Sequence, residues 1–231
     1  NADGTAFGTT LSNSGSSDTF IAKYNTNGVI QWATRVAGTS YDYGQGISVD
    51  SNGDVHVCGT YSSTTLTLYN ADGTAFGTTL SNSGYNDTFI AKYNTSGVVQ
   101  WVARAAGTSN NYVDGISVDS GGNVYVTGYY AGFYGYSTLT FYNADGTAFG
   151  TTLTNSDYNT NNVFIAKYNT SGVVQWAARV AGTSSDDGRD ISVDSSGNVY
   201  VTGFYSSSTL TLYNADGTAF GTTLSNSGSS D

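Results

Sequence analysis

The chain has 231 residues, of which 38% are hydrophobic and only 10% are charged, and its formal net charge is −10. Seven Lys and Arg residues in so acidic a chain cannot displace the counterions of a nucleic acid or hold an anionic membrane surface, so we expect no nucleic-acid partner. The many aromatic side chains argue against disorder, and because no apolar run approaches the roughly 20 residues of a spanning helix we expect no membrane insertion.

The composition also indicates the fold class. All 17 acidic residues are Asp, and the sequence contains no Glu, Met or Pro. Asp, Thr, Ser, Asn and Gly are poor helix formers, whereas Tyr, Thr and Val favour strands, so we expect an all-β protein. The single cysteine, Cys58, excludes a disulfide within the chain. A start at Asn1 rather than at Met is expected of a processed or excised chain.

One repeat accounts for nearly the whole sequence. The string NADGTAFGTTL opens each copy and begins at Asn1, Asn70, Asn143 and Asn214. The resulting units are 1–69, 70–142, 143–213 and the partial 214–231. Self-similarity of this kind predicts an array of equivalent structural units. We expect 214–231 either to begin a fourth repeat or to complement a neighbouring unit as a strand.

Within each repeat, short runs of alternating side chains predict strands, and turns with Gly or Asn separate them. In the second copy the predicted strands are Thr88–Tyr93, Val98–Ala106, Gly115–Asp119, Val124–Tyr129, Ser137–Tyr142 and Thr147–Leu153. The first four predict a four-stranded antiparallel blade of propeller type, and the last two predict an extra hairpin arm. Strict alternation places Val99, Trp101 and Ala103 on one face of their strand and Arg104 on the other.

The copies differ in length at two places, around Ala131–Gly135 and around Asn159–Asn162. Both stretches are rich in Gly or Asn. Because connections tolerate insertions better than strands do, we predict loops at both places.

The repeat resembles a known family. The run DTFIAKYNTSGVVQWVARAAGTS from Asp87, followed by DGISVDSGGNVYVTGYY from Asp114, is similar to the bacterial seven-bladed β-propeller repeat, called SBBP. The resemblance covers about two thirds of each unit in all three units. It implies a propeller blade and frequent secretion or surface display, and it implies no reaction. The arm TLTLYNADGTAFGTTLSNSG is longer than the linking segment of that family, so blade number and ring closure stay open.

The number of blades bears on function. Closed propellers typically have about 4 to 8 blades, and a blade needs neighbours on both of its faces, so three units are too few for a ring. We therefore expect a non-enzymatic structural protein, extracellular or on the cell surface, that assembles with copies of itself or further repeats into a fibre or a longer propeller array. The alternative is a lectin-like or adhesive propeller that binds carbohydrate or protein at one pocket per blade. A third possibility is a domain of an enzyme whose catalytic part lies elsewhere.

Two groups of residues are candidate sites. Asp50, Asn52 and Asp54 offer oxygen atoms at alternating positions, as calcium loops do, but no bidentate Glu follows, and tight turns use the same residue types. The asparagines of three Asn-x-Ser/Thr sequons are candidates for N-glycosylation, namely Asn86, Asn94 and Asn169. No catalytic residue and no cofactor site other than the weak calcium candidate is predicted.

The remaining unusual residues have structural explanations. His56 and Cys58 replace Tyr125 and Thr127 of the next copy, and a Cys–His pair without a third orienting group does not make a nucleophile, so we interpret both as drift within a strand. The repeated Lys and Arg residues are predicted to pair with repeated Asp residues such as Asp50 or to cover the Trp rings. The three repeated tryptophans are predicted to fill the space between sheets, and they are Trp32, Trp101 and Trp176.

Overall fold

The computed structural model describes residues 1–132 and 136–228. Eighteen strands and no helix are found in these two ranges, and the all-β prediction is confirmed. It follows that no apolar helix long enough to cross a membrane occurs among the described residues.

The strands recur in groups of six that are offset from the sequence units, because each structural repeat begins at a FIAKY strand and its sixth strand follows the NADG turn that opens the next unit, at Asn70, Asn143 or Asn214. The strands of the first repeat are β1 (Thr19–Tyr24), β2 (Ile30–Ala37), β3 (Asp42–Val49), β4 (Val55–Tyr61), β5 (Thr65–Tyr69) and β6 (Ala75–Ser81). Those of the second are β7 (Asp87–Tyr93), β8 (Val99–Gly107), β9 (Asn111–Val118), β10 (Val124–Gly132), β11 (Ser137–Tyr142) and β12 (Ala148–Asn155). Those of the third are β13 (Thr160–Tyr168), β14 (Val174–Ala181), β15 (Asp186–Val193), β16 (Val199–Tyr205), β17 (Thr209–Tyr213) and β18 (Ala219–Ser225).

The strands form four antiparallel sheets that cross the repeat boundaries. The second sheet has the order β3-β4-β7-β8-β11-β12, and the third has the equivalent order β9-β10-β13-β14-β17-β18. Each of these two sheets therefore takes two strands from one repeat and four from the next. The four core strands of the second sheet, β3, β4, β7 and β8, come from two copies and not from one copy as predicted. The predicted hairpin arm, β11–β12, pairs with β8 and extends these four strands to six.

The outer two sheets contain fewer strands. The first sheet has the order β1-β2-β5-β6 and the fourth is the pair β15-β16. Within the described residues, no strand pairs with the outer edge of β1, whereas its copy β7 pairs with β4 in the second sheet. Likewise no described strand pairs with the outer edge of β16, whereas its copy β4 pairs with β7. The sheets at the two ends of the array are thus incomplete, and in complementary ways.

Apolar side chains fill the seams between neighbouring sheets. The first seam, between the first and second sheets, includes Trp32, Val57 and Phe89. The second seam, between the second and third sheets, includes Trp101 and Phe164, whose ring meets that of Phe141 edge-on at 5.7 Å between centroids. Trp32 and Trp101 fill space between sheets in these two seams, as predicted.

A β-bulge changes one predicted face. The pairing of β7 with β8 shifts register between Lys92 and Tyr93, because Gln100 is an extra residue in β8. Val99 consequently packs in the first seam, whereas Trp101 and Ala103 pack in the second. The prediction that all three share a face was wrong for Val99, since strict alternation does not allow for an inserted residue.

The two predicted loops are shorter than expected. Ala131 and Gly132 belong to β10, and the rest of that predicted loop, 133–135, lies outside the described residues. At the second place, β13 begins at Thr160, so only the stretch before it is a loop. That loop contains Asn159 at φ 54°, a left-handed conformation that Asn tolerates better than most residues. The inserted residues lengthen β13 because the adjacent strand β10 is long enough to pair with them.

Candidate functional site

The two unpaired strand edges, of β1 and of β16, are the most unusual surface of the molecule. In the second sheet β4 pairs with β7 from Val55↔Tyr93 to Tyr61↔Asp87, and β10 pairs with β13 in the same way in the third sheet. Strand β16 is the third copy of β4, and β1 is the first copy of β7. An unpaired edge presents free backbone N–H and C=O groups, which makes it a template for another strand.

Side chains on these edges are exposed although their copies in the complete sheets are buried. Phe20 is 74% exposed and Tyr24 is 59% exposed on β1, while the equivalent Phe89 and Tyr93 are both fully buried. On β16, Tyr200 is 60% exposed, while the equivalent Tyr125 is 1% exposed. Because near-identical sequences bury these rings elsewhere in the chain, the difference comes from the missing neighbouring strands.

An apolar cleft lies next to each edge. Beside β16, a cleft of about 330 Å³ between the third and fourth sheets is lined by Ile165, Trp176 and Val201, among others. Beside β1, a cleft of about 420 Å³ is lined by Phe20 and Ile47, among others. In the complete seams the equivalent positions are filled by side chains of the adjoining strands. Both clefts are therefore places where a further strand would normally pack.

The predicted calcium loop is organised around a lysine. One carboxylate oxygen of Asp50 accepts the backbone N–H groups of Asn52 and Asp54 at 2.9 and 3.1 Å. The ammonium of Lys92 lies 3.3 Å from the other oxygen of Asp50 and 3.0 Å from Asp54 Oδ2. No group of three or more His, Cys or Asp side chains is arranged to hold a metal ion in the described part of the chain. A calcium ion here would have to displace the Lys92 ammonium.

His56 is buried beside this loop. Its Nε2 lies 3.3 Å from Asp50 Oδ2, and its Nδ1 is buried without a hydrogen-bond partner. Burial lowers the pKa of His56, and the hydrogen bond to Asp50 opposes this shift only in part. Burial raises the pKa of Asp50, but the hydrogen bond from His56 and those from the backbone outweigh it and leave the pKa below its usual value. His56 is thus neutral at pH 7, next to a charged carboxylate and a charged ammonium.

Cys58 is unsuited to nucleophilic chemistry. The side chain is fully buried in the second seam. Burial raises the pKa of the Cys58 thiol, which keeps it protonated, and only the thiolate is an effective nucleophile. This geometry fits the structural interpretation of the pair His56 and Cys58.

The repeated arginines share a contact that was not predicted. Each guanidinium stacks on a tyrosine of the adjoining arm, at 4.3 to 4.5 Å from the ring centroid: Arg35 on Tyr69, Arg104 on Tyr142 and Arg179 on Tyr213. Arg104 and Arg179 also donate to a backbone carbonyl oxygen of the preceding arm, that of Ser81 or Thr154, and Arg35 donates to that of Ser12 in the N-terminal segment. Lys92 makes the predicted ion pair with Asp50, and Arg35 Nη1 lies 3.7 Å from Asp18 Oδ2. Arg104 and Arg179 therefore connect neighbouring blades through their arms.

Three equivalent clefts result from this arrangement. The clefts at Arg35, Arg179 and Arg104 have volumes of about 430, 340 and 330 Å³. Each is lined by a Thr-rich arm segment, the Arg–Tyr stack and an exposed turn Asp: Asp72, Asp216 or Asp145. These side chains offer hydrogen-bond donors and acceptors at one site per repeat.

The sequon asparagines differ in their surroundings. The side-chain nitrogen of Asn86 donates to Asn110 Oδ1 at 2.5 Å and to the Tyr112 hydroxyl at 3.0 Å. Asn94 and Asn169 use only their side-chain oxygens, which accept backbone N–H groups within their turns. Their nitrogens make no hydrogen bond within residues 1–132 and 136–228. Glycosylation at Asn94 and Asn169 would leave the turns intact, whereas glycosylation at Asn86 would break two hydrogen bonds.

Comparison with known proteins agrees with this architecture. The sequence model of the SBBP beta-propeller repeat family matches residues 31–60 and 175–203. Two segments of the chain thus match the SBBP beta-propeller repeat. Each matched segment of SBBP repeat runs from a Trp strand into the following two strands, β2 to β4 in one place and β14 to β16 in the other. Each match thus continues across the junction between two sheets.

A curated relative is also similar over most of the chain. An uncharacterized WD repeat-containing protein of Acanthamoeba polyphaga mimivirus is 29% identical in a 220-residue alignment that covers 86% of this chain. The match covers 15% of the length of that relative. This chain is therefore similar to a small part of a much longer repeat protein.

The unpaired edges of β1 and β16 were not predicted from the sequence. The sequence predicts each strand but not which strands share a sheet, because near-identical repeats offer near-identical partners. One signal was present: a VxVxG strand, beginning at Val55 or Val124, precedes the FIAKY strand of the second and third copies, and each time the two strands pair.

Proposed function

We propose that this chain is a non-enzymatic structural repeat protein that assembles end to end by completing its own unfinished blades. The observation that carries the proposal is the complementarity of the outer sheets. The fourth sheet ends at β16 and the first begins at β1, and joined in that order they contain the six strands of a complete sheet. A second copy of the chain is the proposed partner, since it offers β1 to β16.

The register of the joint follows from the interior pairs. Val55↔Tyr93 and Tyr61↔Asp87 in the second sheet translate into Val199 opposite Tyr24, and Tyr205 opposite Asp18, of the next copy. Joining would cover Phe20, Tyr24 and Tyr200, which are exposed in the single chain. Burial of apolar area contributes about 25 cal/mol per Å², and three aromatic rings supply a large share of it. The contact is heterologous, so it propagates into a filament unless the rotation closes.

Complementary single-edge variants test the assembly. Tyr200→Lys blocks the β16 edge, because the new Lys would lie opposite Lys23 of the next copy, while it still faces Asp194 within its own chain. Phe20→Asp blocks the β1 edge, because it would bury an unpaired carboxylate. We expect the unmodified chain to form concentration-dependent oligomers in sedimentation velocity, and each variant alone to be monomeric.

A mixture of the two variants is the sharper measurement. Each variant keeps the edge that the other has lost, so equal amounts should form a 1:1 dimer that grows no further. Tyr85→Asp is the control, since Tyr85 is 66% exposed but lies away from both edges. An unmodified chain that stays monomeric at high concentration, or a variant mixture that stays monomeric, contradicts the proposal.

The proposed setting is extracellular or at the cell surface. The resemblance to the SBBP family implies this location, and the burial of Cys58, the single cysteine, is compatible with it. Antibody labelling of intact against permeabilised source cells tests it. Labelling that requires permeabilisation contradicts a surface location.

A second candidate function is carbohydrate binding at the three Arg–Tyr clefts. The observation that favours it is the recurrence of the same polar cleft in each repeat. With a net charge of −10, a neutral glycan is a better match than an anionic one. On a glycan array we expect selective binding that the triple variant Asp72→Asn, Asp145→Asn and Asp216→Asn loses. Asp3→Asn is the matched control, because Asp3 makes the same turn hydrogen bonds to Thr5 but lines none of these three clefts.

A further inference from the structure

In each of the two seams, a tryptophan of one sheet donates a hydrogen bond to a turn of the following sheet. The indole N–H of Trp32 donates to the carbonyl oxygen of Thr95 at 3.0 Å, and that of Trp101 donates to the carbonyl oxygen of Thr170 at 3.0 Å. Both acceptors lie in the turn between the first two strands of the next repeat. Trp32 of the first sheet and Trp101 of the second sheet therefore each reach across a seam to the next sheet.

The ring also lies against the glycine of that turn. A Cβ atom added to Gly97 would lie 2.9 Å from Trp32 Cδ2, and one added to Gly172 would lie 2.9 Å from Trp101 Cδ2. Both glycines have a positive φ, 76° and 74°. Glycine is thus required twice over at these positions, by the backbone conformation and by the approach of the indole.

Trp176 is the third copy, and none of the turns in the described residues lies against it as those of Gly97 and Gly172 lie against Trp32 and Trp101. It is half-buried, it lines the apolar cleft beside β16, and its ring meets that of Tyr125 at 6.3 Å between centroids. In the part of the chain that the structure describes, its indole N–H makes no hydrogen bond. One donor and one ring face are therefore available at the end of the array that carries the β16 edge.

The turn at Asn25–Gly28 is the matching copy that no tryptophan covers. Its shape is the same as that of the other two turns, since Asn25 Oδ1 accepts the N–H groups of Asn27 and Val29 at 3.0 Å each. Gly28 has φ +71°, and a Cβ added there would meet only the Cβ of Ala2, at 3.1 Å. Thr26 is exposed. The turn is already in the conformation that accepts an indole elsewhere in the chain.

We infer that Trp176 of one copy packs on Gly28 of the next copy and donates its indole N–H to the carbonyl oxygen of Thr26. This inference rests on the proposed end-to-end assembly and names the contact that fastens it. The partner is a second copy of this chain, because the acceptor turn and the glycine are both features of its own repeat.

Assembly replaces one backbone hydrogen bond at Gly28 by an equivalent one, so the Trp176 hydrogen bond is an additional bond. Ala71 N–H and Ala144 N–H donate to the carbonyl oxygens of Gly97 and Gly172, and in the single chain Ala2 N–H makes the equivalent bond to Gly28 at 3.1 Å. In the joint, Ala215 of the first copy would replace Ala2 at Gly28, so one bond is exchanged for an equal one. The Trp176 bond has no equivalent in the single chain and is added on assembly.

Fluorescence of the full chain tests the inference. Assembly of the unmodified chain should shift tryptophan emission to shorter wavelength, because Trp32 and Trp101 are already buried and Trp176 alone changes its surroundings. Trp176→Phe should abolish that shift and weaken assembly roughly fivefold, the effect of losing one hydrogen bond. Trp101→Phe is the control: it removes the same bond inside the chain and should leave the assembly constant unchanged.

A glycine pair provides a second, independent readout. Gly28→Ala and Gly73→Ala both place a side chain at positive φ, but Gly73 has open space around its Cβ position. Both should destabilise the single chain to a similar extent, whereas only Gly28→Ala should weaken assembly. Assembly without an emission shift, or with equal constants for the two glycine variants, overturns the Trp176 contact and leaves the proposed function standing. A chain that does not assemble at all overturns both.

Discussion

Alanine at Phe89 or Phe164 is expected to lower the free energy of unfolding by about 3–5 kcal/mol, whereas alanine at Phe20 should change it by less than about 0.5 kcal/mol. The three residues are copies of one position in the same FIAKY strand. Phe89 and Phe164 are fully buried in the first and second seams, and Phe20 is exposed. The difference in the loss of unfolding free energy therefore reflects whether a neighbouring strand covers the ring, since the residue type is the same.

The cost at Phe89 has an identifiable origin. Its ring lies on the backbone of Gly59 in the paired strand, where an added Cβ would approach Phe89 Cε1 to 2.3 Å. No other side chain can enter that space, so truncation leaves a cavity between two sheets. Urea unfolding followed by far-ultraviolet circular dichroism, at a protein concentration low enough to keep copies apart, gives the comparison. Equal losses for Phe20→Ala and Phe89→Ala would contradict the unpaired state of β1.

The sequence was sufficient for the strands and the turns of this fold. The run Asp87–Tyr93 shows the alternation of a strand, and the Asn94–Gly97 turn requires the positive φ that Gly97 adopts. Both features are local, because they depend on side-chain period and on the conformational freedom of glycine. Local signals of this kind repeat in each copy and gave the same prediction each time.

The distribution of strands among sheets could not be predicted in the same way. Strand β11 pairs with β8, from which it is separated by β9 and β10 of the following sheet. Alternation tells which side chains share a face but not which strand lies alongside, and the repeats offer several equivalent partners. The contact of Arg104 with Tyr142, rather than with an Asp, follows from this pairing and was missed for the same reason.

Acidification from pH 7.5 to pH 5.5 is expected to destabilise the second sheet through His56. Burial places the pKa of His56 in the folded chain below its unfolded value of about 6.5. Between these two pKa values the unfolded chain binds a proton that the folded chain does not, so stability falls as the pH falls below about 6.5. The slope for one proton is at most about 1.4 kcal/mol per pH unit. Above pH 7.5 the effect is absent, because His56 is neutral in both states.

His56→Tyr is the variant that isolates this effect. The second repeat has Tyr125 at the same position, where its hydroxyl donates to Asp119 Oδ2 at 2.9 Å. Because Asp50 is the copy of Asp119, we expect a tyrosine at position 56 to donate the same hydrogen bond to Asp50. Buried Asp42, Asp87 and Asp186 have raised pKa values and gain stability on acidification, but they do so equally in both proteins. The difference in unfolding free energy between the two proteins should therefore change between pH 7.5 and 5.5 through His56 alone. A packing cost of the larger ring shifts that difference by a constant and leaves its slope unchanged. Parallel pH profiles of the two proteins would therefore contradict the prediction, because they would show that the pKa of His56 is the same in the folded and unfolded chains.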